Sequence, residues 1–239
     1  RACEELIVEG RVMVNGVVIR ELGSKFNPKN LKVEVDGETI KLEKTKLYIA
    51  FYKPRGILSS MSDPEGRPTL SDYFSAKGKF HELFNAKNAG ENGRVFHVGR
   101  LDKDSEGLLL LTNDGDFAFH ATHPSFGLEK KYLVEVEGEL KGNWEKEWLS
   151  GIDIGDGTAR VKQISLVRSI SNKHHWIEIV LDEGRFQVIR RMCEAMSLEV
   201  KRLIRTNFGK VSLGELKEGS YRVLGEVEMQ NIFKDLQLS

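Results

Sequence analysis

The chain has 239 residues, enough for one large domain and a small one. Its 36 Lys and Arg balance 36 Asp and Glu, which excludes a global electrostatic pull on nucleic acid and leaves any such binding to local patches. Two cysteines far apart in sequence, Cys3 and Cys193, exclude a disulfide framework and a cysteine-based metal site and suit a reducing compartment.

No apolar stretch approaches the roughly 20 residues of a membrane span. Arg1 opens the chain inside a helical pattern, as in a fragment, so the expected location is cytoplasmic, or organellar if a targeting segment was removed. Ala2 to Glu9, with Leu6 and Ile7 among glutamates, predicts an amphipathic helix ended by Gly10. Arg11 to Ile19 holds two β-prone runs joined by Asn15-Gly16, a strong hairpin signal, and Val33 to Ile40 repeats it around Asp36-Gly37. Together these make a small first module over residues 1–43, with Glu43 to Lys46 as linker and a main domain over 47–239. The module's cations, Arg11 among them, are partly balanced by nearby acids, so a β-rich appendage that only packs on the main domain is an open alternative.

A strand is predicted from Leu47 to Tyr52, ended by Lys53-Pro54-Arg55-Gly56, which leaves two cations at its mouth. A short helical stretch runs from Arg67 to Phe74. Ser75 to Gly93, rich in Lys, Asn, Ala and Gly, reads as a mobile surface insertion. Val95 to Val98 leads as a strand into the most informative stretch, GRLDKDSEGLLLLTNDG from Gly99 to Gly115. It places Asp102 close to Arg100 in a charged loop running to Gly107, and Leu108 to Leu111 predict a strand buried on both faces. A carboxylate held on a rigid element suits a nucleophile or general base, though an ordinary strand connection with solvated charges fits the same spacing. A calcium loop fails at its twelfth position, which is Asn113 rather than Glu.

Asp116 to His120 predicts a helix; His120 and His123 lack a third ligand at a diagnostic spacing, so no metal site is expected. Lys130 to Glu137 alternates as a half-buried strand and carries Tyr132. Trp144 and Trp148 pack on one face of a helix between Lys141 and Leu149, and strands follow near 160–167 and 176–181. Glu183 to Met192 then turns from a strand into a helix. From Arg185 to Lys210 seven Lys or Arg face only Glu194 and Glu199, a net of +5. That patch, with Arg185, Arg191 and Arg202, is a candidate for phosphate binding, or else a solvated basic face. Strand Val200 to Ile204 and a helix over Glu226 to Leu238 complete the chain. The pattern argues for an α+β fold with a mostly antiparallel sheet, preceded by the small module.

Gly-Arg-Leu-Asp at 99–102, then Ser105, Gly107 and the Leu108 to Gly115 tail, resembles the signature of bacterial pseudouridine synthases of the ribosomal small-subunit type, which isomerise uridine in ribosomal RNA. EELIVEGRVMVNG with its following basic loop and VDG is similar to the second half of the alpha-L RNA-binding domain, so Arg11 is taken as an RNA contact. The resemblance implies a sheet split by a cleft with catalytic Asp102 at its floor, beside Arg100. It further implies that Lys53 lines the cleft, that Tyr132 lies against the uracil ring, that Arg190 pairs with Asp102, and that Leu181 packs beside the site. Ser105 replaces the family's usual Thr and keeps its hydroxyl; Val188 stands where Gln is common. The implied partner is ribosomal RNA, with no membrane, a monomeric protein, and no cofactor or metal. Two alternatives stay open: a non-catalytic RNA-binding protein acting in ribosome assembly, and a glycoside hydrolase pairing Asp102 with Asp104 or Asp114.

Overall fold

The computed structural model describes residues 2–27, 31–40, 46–76 and 95–238. Most of the predicted linker and insertion, together with Arg1 and Lys29, lies outside them. Contacts divide the chain into two units, Arg1–Thr45 and Lys46–Ser239.

In the first unit, helix α1 (Ala2–Val8) precedes β1 (Val12–Val14), β2 (Val17–Ile19), β3 (Val33–Val35) and β4 (Glu38–Ile40), paired in the order β2-β1-β3-β4. Both hairpin turns take positive φ at their two central residues, Asn15-Gly16 and Asp36-Gly37, the geometry that Asn-Gly and Asp-Gly favour.

The second unit is built on a nine-stranded sheet among the described residues. Its strands include β5 (Tyr48–Lys53), β6 (Phe96–Val98), β7 (Glu106–Thr112), β8 (Lys130–Glu137), β11 (Gln163–Ser171), β12 (His174–Leu181), β13 (Glu199–Phe208), β14 (Val211–Ser212) and β15 (Tyr221–Val223). The order is β11-β12-β8-β13-β7-β5-β15, with β6 beside β7 and β14 beside β13. A separate two-stranded ribbon joins β9 (Ile152–Asp153) and β10 (Thr158–Ala159). Helices α2 (Leu70–Ala76), α3 (Gly115–Thr122), α4 (Trp144–Ser150), α5 (Val188–Ala195) and α6 (Glu226–Asp235) complete the α+β architecture.

The ladders of the large sheet are antiparallel except where β13 meets β7, at Ile204↔Glu106 and Arg205↔Gly107. Two residue pairs thus join the sheet's halves, and the chain leaves that junction on the β7 side as the Asp102 loop. Strand β7 begins at Glu106, earlier than the leucine run predicts. Glu106 tolerates burial because Arg202 donates to both carboxylate oxygens, at 2.6 and 3.0 Å, and the Tyr52 hydroxyl donates at 3.2 Å. Gly107 is required sterically: a Cβ there would sit 2.4 Å from the Arg205 carbonyl oxygen, and its φ is +103°.

The four leucines are buried on both faces, as their run predicts. Leu108 and Leu110 join one apolar cluster with Phe117, Phe208 and Ile232, whereas Leu109 and Leu111 join another with Phe51, Leu70 and Phe74. Each contributes roughly 1.5–3 kcal/mol by burial, so the strand is an anchored base for the loop before it. A third cluster, around Trp148, Ile177, Ile179 and Met192, supports the β8–β12 half.

Candidate active site

The loop from Gly99 to Ser105 is tied down on both sides of Asp102. Before it, the Leu101 amide donates to Ser59 Oγ at 3.0 Å and the Ser59 hydroxyl donates to the Leu101 carbonyl at 2.7 Å. After it, the Ser105 amide donates to the Asp102 carbonyl at 3.1 Å, and the Gly56 amide donates to the Lys103 carbonyl at 2.8 Å. Half-buried Asp102 makes no side-chain hydrogen bond or ion pair among the described residues, so its carboxylate is available to a substrate.

Lys53 is fully buried rather than lining the cleft. Its Nζ donates to the carbonyls of Asp102 (3.2 Å), Ser105 (2.8 Å) and Pro54 (3.0 Å), which fixes the loop from beneath. Burial pushes its ammonium down to about 8, while the charges of Asp102, Asp104 and Glu106 work in the opposite direction. The sequence identified the residue but not this role, because nothing in Lys-Pro-Arg-Gly reveals which cation turns inward.

A cleft of about 730 Å³ opens above the junction. It brings together Arg100, Asp102 and Ser105 of the loop, Lys130 and Tyr132 of β8, Asp182 to Ile189 leading into α5, and Leu203, Arg205 and Phe208 of β13. Tyr132 lines it and stands opposite Arg205 in the β8–β13 ladder. Leu181 lies in the apolar core at the end of β12, one residue before the lining begins.

The expected Arg190–Asp102 pair is not formed in this structure. Arg190 Nη2 donates instead to the Asp104 carbonyl at 3.0 Å, so the guanidinium holds the loop two residues beyond Asp102. The four expected phosphate contacts are likewise engaged within the protein. Arg11 pairs with Asp36 and Glu9, Arg185 with Glu183 and Asp156, Arg191 with Asp156, and Arg202 with Glu106. Burial works to raise the Glu106 carboxyl, but the hydrogen bond and charge of Arg202 outweigh it and hold the group below its ordinary value. The local count of +5 omitted these acids because folding delivers them from outside the counted stretch.

Asp114 cannot pair with Asp102 across a sugar. It caps α3, accepting from the Phe117 amide and from the Tyr48 hydroxyl at 2.7 Å. The seven residues of β7 separate it from the Asp102 loop, roughly 20 Å at strand rise against the 5–9.5 Å of glycosidase carboxylates.

Sequence reasoning missed Ser59 and Arg205. A serine in a polar loop carries no signal, whereas an arginine inside the buried run of β13 does.

The chain matches the family model described as RNA pseudouridylate synthase over residues 47–195. It is 40% identical to an uncharacterized RNA pseudouridine synthase of Aquifex aeolicus, over 100% of this chain and 90% of the relative. It is 36% identical to the ribosomal large subunit pseudouridine synthase B of Bacillus subtilis, over 97% and 89%. A crystal structure of a pseudouridylate synthase superposes with a TM-score of 0.65 at 26% identity, covering 97% of this chain and 92% of that one. The B. subtilis relative, and those of Pseudomonas aeruginosa and Yersinia pestis, are named for the large ribosomal subunit, so the small-subunit label carried by the motif resemblance is not supported.

Proposed function

The chain belongs to the RNA pseudouridine synthase family, and we propose that it uses Asp102 to isomerise one uridine of large-subunit ribosomal RNA. The activity itself is conversion of uridine to pseudouridine: the C1′–N1 bond breaks, the base turns, and C1′ bonds to C5. The observation that carries the role of Asp102 is its carboxylate, without a hydrogen bond or ion pair among the described residues, on a loop anchored at both ends and facing a cleft that also contains Tyr132.

A uridine drawn out of its stack enters this cleft, and Tyr132 stacks on the uracil for roughly 1–3 kcal/mol. Asp102 acts on the base or the ribose as nucleophile or base. Arg190 and Lys53 position it through the main-chain carbonyls of Asp104 and of Asp102 itself. Arg100, exposed at the cleft and without an ion pair among the described residues, takes a neighbouring phosphate. Arg185 lines the cleft, and it, Arg191 and Arg202 reach RNA by exchanging carboxylates for phosphates.

The first unit serves as an alpha-L-type RNA-binding module over 1–43, supported by the helix and paired hairpins of its fold. A cytoplasmic location fits two free cysteines, with Cys193 buried and its thiol pushed by burial up to about 12. No described helix is long and apolar enough to cross a membrane.

The test is tritium release from ribosomal RNA labelled at uracil C5, using each subunit's RNA separately. Release from large-subunit RNA by the wild type and not by Asp102→Asn is expected. Release by Asp102→Asn at the wild-type rate would overturn the assignment of Asp102, and release only from small-subunit RNA would overturn the substrate.

A further inference from the structure

Among the described residues Arg205 is a buried charge without a carboxylate partner. It is 2% exposed in the middle of the sheet, yet no carboxylate lies within ion-pair distance among the described residues. Its Nε donates to the Leu108 carbonyl at 2.7 Å and its guanidinium lies 5.2 Å from the centre of the Phe208 ring, while Nη2 is buried with no hydrogen-bond partner. Ser105 Oγ, on the Asp102 loop, is a second buried polar atom with no partner. Both residues line the cleft. Burying a guanidinium and leaving a donor unused is costly, and such an atom facing a binding site marks where a ligand completes the bonding.

We infer that Arg205, with Ser105 beside it, binds a carbonyl oxygen of the flipped uracil and stabilises the negative charge that develops there; this rests on the proposed activity. Depth decides between base and phosphate. Neighbouring nucleotides remain in the RNA strand, so phosphates track the exposed rim, whereas Arg205 lies on the floor opposite Tyr132, the stacking aromatic. Lys130, which also lines the cleft with Nζ 5.8 Å from the centre of the Phe208 ring, adds a second cation to this floor.

The chemistry requires such a group on either course open to Asp102. Attack on the base pushes an electron pair onto O4 as an enolate. Attack on the ribose breaks C1′–N1 and leaves the pair on N1, shared with O2 and O4. On the base course C1′–N1 then breaks, C5 bonds to C1′ and the bond from Asp102 to the base is released by elimination; on the ribose course C5 displaces Asp102 from C1′. In both the C5 hydrogen departs as a proton and N1 gains one, so Asp102 is regenerated and the reaction balances without a co-reactant. A fixed cation in a water-poor floor stabilises that charge without reorganising.

Coupling between enzyme and substrate changes tests the inference. Single-turnover conversion of an RNA substrate bearing uridine, 2-thiouridine or 4-thiouridine at the target is timed for wild type, Arg205→Lys and Arg205→Gln. Sulfur accepts hydrogen bonds poorly, so the wild type is expected to discriminate against one thio analogue. Arg205→Gln should slow the uridine reaction by about a hundredfold. Both variants should lose most of the discrimination at that one position. The folded fraction cancels, because two substrates are compared on one preparation. Discrimination unchanged within about twofold at both positions, in variants of an active wild type, would sink this inference and leave the proposed function standing. A wild type inactive on every ribosomal RNA would instead remove the proposed function, and this inference with it.

Discussion

The buried Nζ of Lys53 donates to the main-chain carbonyl of Asp102 at 3.2 Å. One strand's terminal residue therefore sets the position of the carboxylate assigned to catalysis without touching the carboxylate itself. Bonds from the same ammonium to Ser105 and Pro54 make Lys53 the common anchor of the loop and of the strand end opposite.

Lys53→Met should remove that anchor and leave buried carbonyls unpaired. We expect a loss of stability on the order of 2–4 kcal/mol, each orphaned buried acceptor costing about 1–3 kcal/mol offset by relief of the buried charge. Rate per folded molecule should fall by at least about tenfold, because a displaced carboxylate forfeits its orientation. Urea unfolding combined with tritium release measures both; a folded variant with wild-type turnover would refute the anchoring role.

The same residue gives a pH signature. Its folded value, about 8, lies below the ordinary lysine value of 10.5. Below pH 8 both folded and unfolded states carry the charge, and the cost of burying it is felt in full. Between about 8 and 10.5 the folded state binds fewer protons than the unfolded one, so this group's contribution to stability rises with pH. The stability of wild type relative to Lys53→Met should therefore improve across that window. A flat difference would place the folded value near that of a solvated lysine.

Asp102→Asn should abolish tritium release while changing RNA affinity by less than about threefold and stability by no more than about 1 kcal/mol, because the side chain has no hydrogen bond or ion pair to lose among the described residues and only its charge acts on Lys53. Filter binding and thermal unfolding check the two controls.

Gly107→Ala should be among the most damaging single substitutions in the second unit. The added Cβ meets the Arg205 main chain at 2.4 and 2.8 Å, with φ at +103°. A cost of at least about 3 kcal/mol is expected, along with loss of activity, since the contact between the sheet's halves must open. Chemical denaturation with wild-type stability would contradict the close packing of β7 on β13.

Asp156→Ala should free Arg191 from its carboxylate, whereas Arg185 loses only a 3.5 Å contact and keeps its pair with Glu183. RNA binding should tighten by roughly 2–5-fold at low salt, and the slope of affinity against salt should steepen by about one ion. Unchanged affinity and slope would mean that Arg191 does not reach phosphate.

Much of the fold is legible in local patterns. Asn15-Gly16 and Asp36-Gly37 encode their hairpins because few residue pairs adopt positive φ twice in succession. Leu108 to Leu111 encode a strand buried on both faces, and Asp114 at the end of β7 caps the following helix. These features depend on neighbours along the chain. Element ends were less legible: Glu106 extends β7 only because Arg202, 96 residues away, compensates its burial.

The motif that carries Asp102, the strands around it and the family resemblance are written in contiguous residues whose spacing is chemically restrictive. Tertiary structure alone decided which charges are free. Lys53 turned inward beneath the loop, Arg190 reached the Asp104 carbonyl, Arg185, Arg191 and Arg202 met carboxylates, and Arg205 was buried facing the cleft without one. The reason is that a charge's environment is fixed by groups distant in sequence, and both desolvation and Coulomb attraction depend on that three-dimensional neighbourhood.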